Sequence, residues 1–268
     1  MASFCDDVIT EEGIKAYLKG DLKDKVNAEI VSVATSTNDI VKKRGSEGEK
    51  EYFLFAAGSQ TQGKGRMGRS FFSPDDTGVY FSLLLKPVLQ PSQAVLITTA
   101  AAVSVCESLE KLGVQNPQIK WVNDIFVNGK KVCGILTEAS FNSENGTLDY
   151  AVLGVGINIY LPKDGFPQDI EDVAGAVFSE KQNDLRNKFI ASFINSFYDY
   201  YCRLERKIHC PEYERRCMVT GKDIFVISAG EKKPAKALGV DENCGLVVVF
   251  DNGERAVLSS GEISIRLG

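Results

Sequence analysis

The segment Gly63-Lys64-Gly65-Arg66-Met67-Gly68-Arg69 places three glycines and three permanent cations within seven residues. Glycine lets a backbone approach a ligand closely and adopt positive φ angles at little cost. Lysine and arginine side chains bind anions, and phosphate is the anion that fits this spacing best. Taken alone, the segment indicates either a lid that folds over a phosphorylated ligand or a solvated surface turn.

The same glycines match the G-x-G-x-x-G pattern of a dinucleotide-binding turn. That pattern has meaning only where a strand feeds into it and a helix leaves it. Here polar residues separate the predicted strand Tyr52 to Ala57 from Gly63, and Ser70-Phe71-Phe72-Ser73-Pro74 follows Arg69. This context is not a helix start, so the sequence argues against a Rossmann site.

Three further segments combine charged or amide side chains with turns and glycines. Lys120-Trp121-Val122-Asn123-Asp124 presents a cation, an amide and a carboxylate at a predicted strand end, and Lys130-Lys131 follows Asn128-Gly129. In Gly154-Val155-Gly156-Ile157-Asn158, two glycines open a strand surface to a ligand. Capping, surface charge or a bulge would explain each segment singly. Their joint occurrence in this order indicates one binding site.

The composition is that of a soluble globular protein of 268 residues, 44% hydrophobic and 25% charged. This length predicts one main domain, alone or with a small appendage. No apolar run reaches the roughly 20 residues needed to cross a bilayer, and the N-terminus has no secretory signal. The net charge of −5 disfavours nucleic-acid binding as the main activity.

Seven scattered cysteines form no C-x-x-C pair, which predicts reduced thiols in a cytoplasmic protein rather than a disulfide framework or a zinc site. His209 is the single histidine of the chain. We expect it to be a surface or partly packed residue after a helix. A histidine-rich metal site is excluded, and no nucleophile elbow accompanies His209.

Hydrophobic patterning predicts alternating helices and strands. The expected helices are residues 8–20, Ser92 to Leu112 and Asp184 to Glu205, the last with a core-packing stripe of Phe189, Phe193, Phe197 and Tyr201. Asn128-Gly129 and Asn145-Gly146 predict hairpin turns between strands. From about Val219, short strands alternate with Gly and Asn turns, which predicts a small β-barrel attached to the main domain.

The chain resembles the biotin protein ligases on six motifs that run from residue 36 to near the C-terminus. They are Ser36-Thr37-Asn38, Gln60 with residues 63–69, Lys120 to Asp124, Lys131 with Gly134-Ile135-Leu136, Gly154 to Asn158, and Gly261-Glu262-Ile263-Ser264. Two positions depart from the family pattern. Lys64 replaces an arginine, which keeps the charge but loses its bidentate fork, and Val122 replaces a proline.

The resemblance implies an α+β fold with a mixed, largely antiparallel sheet flanked by helices, similar to class II synthetases, and a C-terminal SH3-like β-barrel. It implies a catalytic domain at residues 1–218 and the barrel at 219–268. The implied reaction makes biotinyl-5′-adenylate from biotin and ATP with Mg²⁺, then transfers biotin to a lysine of a biotin carboxyl carrier protein. The ligase is expected in the cytoplasm, as a monomer or homodimer, without membrane binding.

The family's site residues carry over position by position. Ser36, Thr37, Asn38 and Gln60 would contact the ureido ring of biotin, and Lys64, Gly65, Arg66 and Arg69 would close over biotin and the phosphate. Lys131 would hold the biotin carboxylate and the adenylate linkage, and Asp124 and Asn123 would reach the nucleotide or its magnesium. The remaining implied contacts are Lys120, Gly134, Gly154, Gly156 and Asn158 in the adenylate pocket, and Phe71 either stacked on adenine or packed in the core.

Repressor members of the family carry an N-terminal helix-turn-helix domain of some sixty residues before the Ser-Thr-Asn motif. Only 35 residues precede Ser36, so a ligase without DNA binding is expected. Two other functions remain open at this point: a lipoate protein ligase with the same adenylation chemistry, and a non-catalytic biotin-binding module. The polar set around Ser36 favours biotin over lipoate, whose dithiolane lacks a ureido group.

Overall fold

The computed structural model of the protein describes residues 6–142, 146–228, 231–259 and 261–265. Its α-helices are α1 (Glu11–Tyr17), α2 (Leu22–Lys25), α3 (Thr37–Ser46), α4 (Val95–Lys111), α5 (Leu185–Tyr201) and α6 (Cys210–Arg216). Its strands are β1 (Asn27–Ala34), β2 (Phe53–Gln60), β3 (Gly78–Leu85), β4 (Gln118–Lys120), β5 (Asp124–Val127), β6 (Lys130–Phe141), β7 (Leu148–Asn158), β8 (Asp223–Ser228), β9 (Glu231–Val240), β10 (Leu246–Phe250), β11 (Arg255–Leu258) and β12 (Glu262–Ile265).

The first seven strands form one mixed sheet in the order β1-β2-β3-β7-β6-β5-β4. β1 and β2 are parallel and are connected through α3, whereas every other neighbouring pair is antiparallel. Parallel neighbours need a crossover connection, and α3 supplies it. The predicted α+β class with a largely antiparallel sheet is therefore confirmed.

Helices cover both faces of this sheet. Because successive strand residues point to opposite faces, Leu83 and Leu85 of β3 join the large core, whereas Leu84 packs into a smaller cluster under α3 with Val41. The large core also contains α4 and α5. The stripe predicted on α5 is confirmed, since Phe189, Phe193 and Phe197 are buried and the rings of Phe193 and Phe197 stack 5.6 Å apart.

The hairpin predicted at Asn128-Gly129 joins β5 to β6. Both residues have positive φ angles, 51° and 76°, which is the requirement of a type I′ turn. The turn places Lys131 near the start of the twelve-residue strand β6, beside the end of β5. The second predicted turn includes Asn145, which lies outside the described residues, but β6 and β7 pair antiparallel as that turn requires.

The helix predicted from Ser92 to Leu112 forms as a single 3₁₀ turn, Pro91–Gln93, followed by α4. Among the described residues, the stretch Pro91–Lys111 has the length and composition to cross a membrane, which corrects the expectation that no run is long enough. Within the protein, 72% of that stretch is buried. Its apolar residues pack between the sheet, α5 and α6 as a core helix.

The last five strands form a separate antiparallel sheet in the order β11-β10-β9-β8-β12. This sheet confirms the predicted small SH3-like β-barrel, while the boundary after residue 218 stays a prediction. Hydrogen bonds from the main domain reach this region: Trp121 Nε1, for example, donates to the Cys244 carbonyl at 3.0 Å.

The prediction for His209 was wrong. The residue is fully buried, and its Nε2 lies 3.0 Å from the Thr99 hydroxyl of α4. After α5, the chain folds back beneath α4, so the segment that begins α6 is inside the protein. Sequence patterning does not show this tertiary packing, because a lone histidine before a proline is equally compatible with an exposed turn.

Candidate active site

A cleft lies where α3 begins and where β2, β6 and β7 meet the loop of residues 63–69, here called the glycine loop. Sixteen of the predicted site residues line it together: Ser36, Thr37, Asn38, Gln60, Lys64, Gly65, Arg66, Arg69, Phe71, Lys120, Asn123, Asp124, Lys131, Gly134, Gly154 and Gly156. The C-terminal sheet region contributes Gly261 and Ile263 to the same wall.

One end of the cleft is polar and is formed by Ser36, Thr37, Asn38 and Gln60. Ser36 occupies the N-cap position of α3, but its side chain makes no capping hydrogen bond. Its buried Oγ has no partner among the described residues. A buried hydroxyl without a partner costs about 1–3 kcal/mol, so this atom is set to bond a ligand.

The other three polar side chains are held by a hydrogen-bond network. Gln60 Oε1 accepts from the Thr37 amide at 2.9 Å, and Gln60 Nε2 donates to Ser73 Oγ at 3.0 Å. Ser82 Oγ donates to Asn38 Oδ1 at 2.6 Å, since an amide oxygen only accepts, and lies 2.8 Å from Thr37 Oγ1. The network fixes these side chains before any ligand arrives.

Gly154 of β7 makes room for this arrangement. A Cβ at that position would lie 2.0 Å from Asn38 Oδ1. Asn38 also donates through Nδ2 to Glu138 Oε2 at 3.0 Å. Hydrogen bonds to Glu138 and Ser82 therefore fix the orientation of the Asn38 amide. Position 154 must be glycine because the Asn38 side chain packs directly against its backbone.

The glycine loop crosses the cleft as a narrow turn. The Gly65 amide donates to the Arg69 carbonyl at 2.7 Å, and Arg66–Gly68 forms a single 3₁₀ turn with Met67 and Gly68 at positive φ. The turn leads into no α-helix, which a Rossmann site would require. Lys64 pairs with Asp39 of α3, and that hydrogen bond raises the pKa of the lysine.

Arg66 is the side chain through which the loop reaches the rest of the site. Its Nη1 donates to Asn123 Oδ1 at 3.1 Å and its Nη2 to the Gly261 carbonyl at 2.9 Å. Asn123 is itself held, because its Nδ2 donates to the Ile135 carbonyl at 2.8 Å. The guanidinium thus spans from the start of β5 to the C-terminal sheet region, directly over the cleft.

A lysine–carboxylate pair lines the cleft. Lys131 Nζ is 2.7 Å from Asp124 Oδ1, and the two side chains are 31% and 21% exposed. The backbone of Lys131 is fixed by two hydrogen bonds to the segment after Ile170: its amide donates to the Val173 carbonyl, and its carbonyl accepts from the Gly175 amide. Among the cleft-lining residues that the structure describes, Asp124 is the one carboxylate.

The aromatic ring of Phe71 lies on a pair of glycines. Gly134 of β6 and Gly156 of β7 are register partners, and a Cβ on them would lie 3.2 Å and 2.7 Å from the ring. Phe71 is half-buried, and its ring meets Tyr80 edge-on at 6.4 Å. The observed packing fits both predicted roles, since the ring rests on the sheet and also lines the cleft.

Asn158 is the exception among the predicted residues. It does not line the cleft, and its Nδ2 donates to the Gly175 carbonyl at 3.0 Å, which ties the end of β7 to the segment that also fixes Lys131. Sequence reasoning missed Asp39 and Ser82 as partners of the site. A signal existed for Ser82, a polar residue in the otherwise apolar run of β3, whereas the pairing of Asp39 depends on the loop conformation.

Together, the cleft offers a polar end, a cation beside a carboxylate, an arginine in a glycine-rich turn, and an aromatic ring packed on two glycines. Such a site can bind an uncharged polar ring, hold a carboxylate and a phosphate next to one another, and accept a flat base. Fixed cations at the junction stabilise charge that develops on phosphate and carboxylate oxygens.

Comparisons with known proteins agree with this geometry. The model of the biotin/lipoate A/B protein ligase family matches residues 30–158. The bifunctional ligase/repressor BirA of Bacillus spizizenii is 35% identical over 233 residues, which cover 85% of this chain and 71% of the relative. The biotin–[acetyl-CoA-carboxylase] ligase of Mycobacterium tuberculosis is 24% identical over 242 residues, covering 88% of this chain and 87% of the relative.

A solved structure shows the same fold. The biotin protein ligase of Aquifex aeolicus in complex with biotin and ATP superimposes with a TM-score of 0.71 at 24% identity, covering 90% of this chain and 99% of that one. The sheet, its helices and the C-terminal strands therefore have the fold of that structure. With the sequence match to BirA, the chain belongs to the biotin protein ligase family.

Proposed function

We propose that this protein activates biotin with ATP and attaches it to a lysine of a biotin carboxyl carrier protein. The observation that carries the proposal is that the Lys131–Asp124 pair lines the same cleft as the polar end and the ring of Phe71. A carboxylate held from the polar end and a nucleotide held at Phe71 would meet at this lysine.

In the first half-reaction, a carboxylate oxygen of biotin attacks the α-phosphorus of ATP. A bond forms from that oxygen to phosphorus, the bond to the bridging oxygen breaks, and pyrophosphate leaves with the electron pair. Biotinyl-5′-adenylate remains. No proton need be moved in this step, so a site built from cations suffices and general acid–base groups are not required.

The residues of the cleft divide this work. The unpartnered Oγ of Ser36 and the fixed amides of Asn38 and Gln60 bind the ureido ring of biotin, whose polar atoms would be costly to bury unpaired. Lys131 holds the carboxylate and then the mixed anhydride. Arg66, Lys64 and Arg69 cover the anhydride, and Lys120, Asn123, Gly134 and Gly156 surround the nucleotide with Phe71.

In the second half-reaction, the neutral amine of the acceptor lysine attacks the carbonyl carbon of the adenylate. An amide bond forms, the carbon–oxygen bond to phosphate breaks, and AMP leaves while the amine loses a proton. The glycine loop, held by Arg66, excludes water from the anhydride until the acceptor arrives.

Among the described residues of the cleft, Asp124 is the side chain suited to bind Mg²⁺. Asp124 is the single carboxylate among the described cleft residues, and Mg²⁺ in nucleotide sites uses one or two carboxylates together with substrate phosphates. Asp124 would hold the ion when it enters with ATP, and the ion would neutralise charge on the phosphates. Before that, the same carboxylate orients Lys131.

The acceptor is the biotin carrier domain of an acyl-CoA carboxylase. The M. tuberculosis relative is named as a ligase for acetyl-CoA carboxylase, which supports this class of partner. We place the protein in the cytoplasm, as a monomer or homodimer that binds neither DNA nor membranes. Fractionation of cells, size-exclusion chromatography with light scattering, and binding assays with DNA and vesicles test these four points.

The central test is ATP–pyrophosphate exchange with purified protein. Exchange is expected to require biotin and Mg²⁺ and to be absent with lipoate as the only acid. Mass spectrometry should then show a carrier domain gaining one biotinyl group on its lysine. Exchange with lipoate would identify a lipoate ligase instead, and binding of biotin without any exchange would identify a non-catalytic module.

A further inference from the structure

A second cluster of reactive side chains lies away from the cleft, at the junction of the main domain and the C-terminal sheet. His209 and Cys210, at the start of α6, meet Cys244 from the turn between β9 and β10. All three are buried, with at most 5% of any of them exposed. The proposed ligation reaction uses none of these groups.

The two sulfur atoms are closer than thiols in ordinary contact. Cys210 Sγ and Cys244 Sγ lie 2.6 Å apart, and both residues are free cysteines. A metal ion held by two thiolates would need more space, since Zn–S bonds of about 2.3 Å in a tetrahedral site separate the sulfurs by roughly 3.8 Å. His209 Nε2, 3.7 Å from the Cys210 sulfur, is also hydrogen-bonded to the Thr99 hydroxyl. The two sulfurs are in direct contact, as formation of a sulfur–sulfur bond requires.

The surroundings make one of the two sulfurs nucleophilic. The Cys244 thiol donates to Cys210 Sγ, and with a smaller effect from His209 this lowers the pKa of Cys210 to about 5 despite its burial. Conversely, the pKa of Cys244 is raised, first because its thiol donates to Cys210. His209 Nε2 is 3.7 Å from the Cys210 sulfur. A thiolate beside a protonated thiol is the pairing that oxidants convert to a disulfide.

We propose that Cys210 and Cys244 are a reversible disulfide site that joins α6 to the C-terminal sheet when the protein meets hydrogen peroxide. The Cys210 thiolate attacks one peroxide oxygen, the O–O bond breaks, and after protonation water leaves and Cys210 carries a sulfenic acid. The Cys244 sulfur then attacks the Cys210 sulfur, and a second water leaves with the thiol proton. In sum, two thiols and one peroxide give one disulfide and two waters.

Peroxide is the oxidant that suits this location. It is small and uncharged, so brief local openings admit it to a buried pair that a glutathione-sized reagent would not reach. The bond would close a loop between residues 34 apart in the chain. Because the Cys244 carbonyl accepts from Trp121 Nε1, the bond also fixes the sheet against the segment that carries Asn123 and Asp124.

The test uses the full chain, reduced and then exposed to hydrogen peroxide, with remaining thiols alkylated in denaturant. Two of the seven thiols should be lost, one cross-linked peptide should contain Cys210 and Cys244, and dithiothreitol should restore all seven. The oxidised protein should melt about 5–10 °C higher than the reduced protein. Cys217→Ser, a buried cysteine at the end of the same helix, should leave the cross-link in place.

Cys210→Ser and Cys244→Ser should each abolish both the cross-link and the difference in melting temperature between oxidised and reduced protein. The cross-link in the unsubstituted chain is measured independently of whether these variants fold. Seven alkylated cysteines after peroxide treatment, a bond between another pair, or sulfinic acid on Cys210 would overturn the proposal. So would one equivalent of zinc that copurifies with the reduced chain and is lost in both variants, because it would make the cluster a metal site.

Discussion

Phe71 rests on Gly156, and a single methyl group at that glycine would intrude to 2.7 Å from the ring. The partner strand repeats the arrangement at Gly134, where the corresponding distance is 3.2 Å. The Phe71 ring is therefore positioned by two glycines, and a side chain at Gly156 would disturb the ring more than one at Gly134.

Gly156→Ala should displace the Phe71 ring and raise the KM for ATP by about tenfold or more, while Gly134→Ala should raise it severalfold at most. The difference follows from the tighter contact at Gly156, since distances below 3 Å force the ring to move. ATP titrations of biotin-dependent pyrophosphate exchange measure both. Equal effects of the two alanines, or an unchanged KM in Gly156→Ala, would contradict this role of the ring.

Ser36→Ala should weaken biotin binding without lowering the stability of the fold. Because the Ser36 Oγ is buried without a partner, its removal should leave the free energy of unfolding unchanged or raise it by up to about 2 kcal/mol. Biotin affinity should fall roughly 3- to 10-fold with the lost hydrogen bond. Ser82→Ala is the matched comparison: its hydroxyl is bonded, so that variant should lose about 1–2 kcal/mol of stability. Urea unfolding and biotin calorimetry measure the two quantities.

Lys131→Ala should reduce pyrophosphate exchange by about 100-fold or more, because one fixed cation at a reacting anion is worth that much. Stability should change by no more than about 1 kcal/mol, since the ion pair with Asp124 is partly exposed. The neighbouring Lys130→Ala removes the same charge from a side chain that donates to the Glu171 and Asp172 carbonyls, and should retain exchange. Near-normal exchange in Lys131→Ala would reject the assignment.

Arg66→Gly should release biotinyl-adenylate faster, by about tenfold or more, because the variant loses the contacts to Asn123 and to the Gly261 carbonyl. The melting temperature should change by no more than a few degrees, since a surface turn contributes little packing. Arg206→Gly, an exposed arginine in the 3₁₀ turn after α5, is the control for charge and glycine content. Retention of the adenylate as in the parent chain would show that the loop does not act as a cover.

Acid should weaken the link between α4 and α6. Arg216 donates to both oxygens of Glu110 at 2.8 Å, and this pairing lowers the pKa of Glu110 below its ordinary 4.5. A lowered pKa in the folded state contributes stability above pH 4.5, which is lost as the pH falls through the folded value.

Glu110→Gln should therefore be less stable than the parent by about 1 kcal/mol at pH 7, with a difference that shrinks below pH 4.5. Glu12→Gln, on an exposed glutamate at the start of α1, should follow the parent at every pH. Urea unfolding between pH 7 and pH 3.5 gives the comparison. A Glu110→Gln deficit that persists undiminished at pH 3.5 would show that packing, and not the ion pair, is responsible.

The sequence predicted most of the cleft because its residues fall in short motifs at strand ends and turns. Gly154 and Gly156, for instance, interrupt an apolar strand where side chains must be absent, and Asn128-Gly129 fixed the position of Lys131. Local chemistry of this kind is readable from order and spacing. The same holds for the helix pattern of Phe189, Phe193 and Phe197, whose burial the 3.6-residue period implied.

What the sequence did not predict depends on contacts between distant segments. The burial of His209, the hydrogen bond from Asn158 to the Gly175 carbonyl and the pairing of Lys64 with Asp39 all arise from how separate elements meet. None of these three contacts can be recognised from the residues next to it in the sequence. The approach of Cys210 to Cys244 is of the same type, since the two lie in different domains by sequence and no spacing rule joins them.

The two hydrogen bonds of the Arg66 guanidinium have a consequence for protein engineering. Since this guanidinium bonds both Asn123, just before β5, and the Gly261 carbonyl, we expect the C-terminal sheet region to take part in covering the adenylate. Chimeras that join a foreign barrel to residues 1–218 should release biotinyl-adenylate faster. The exception would be a barrel that places a backbone carbonyl where that of Gly261 accepts from Arg66.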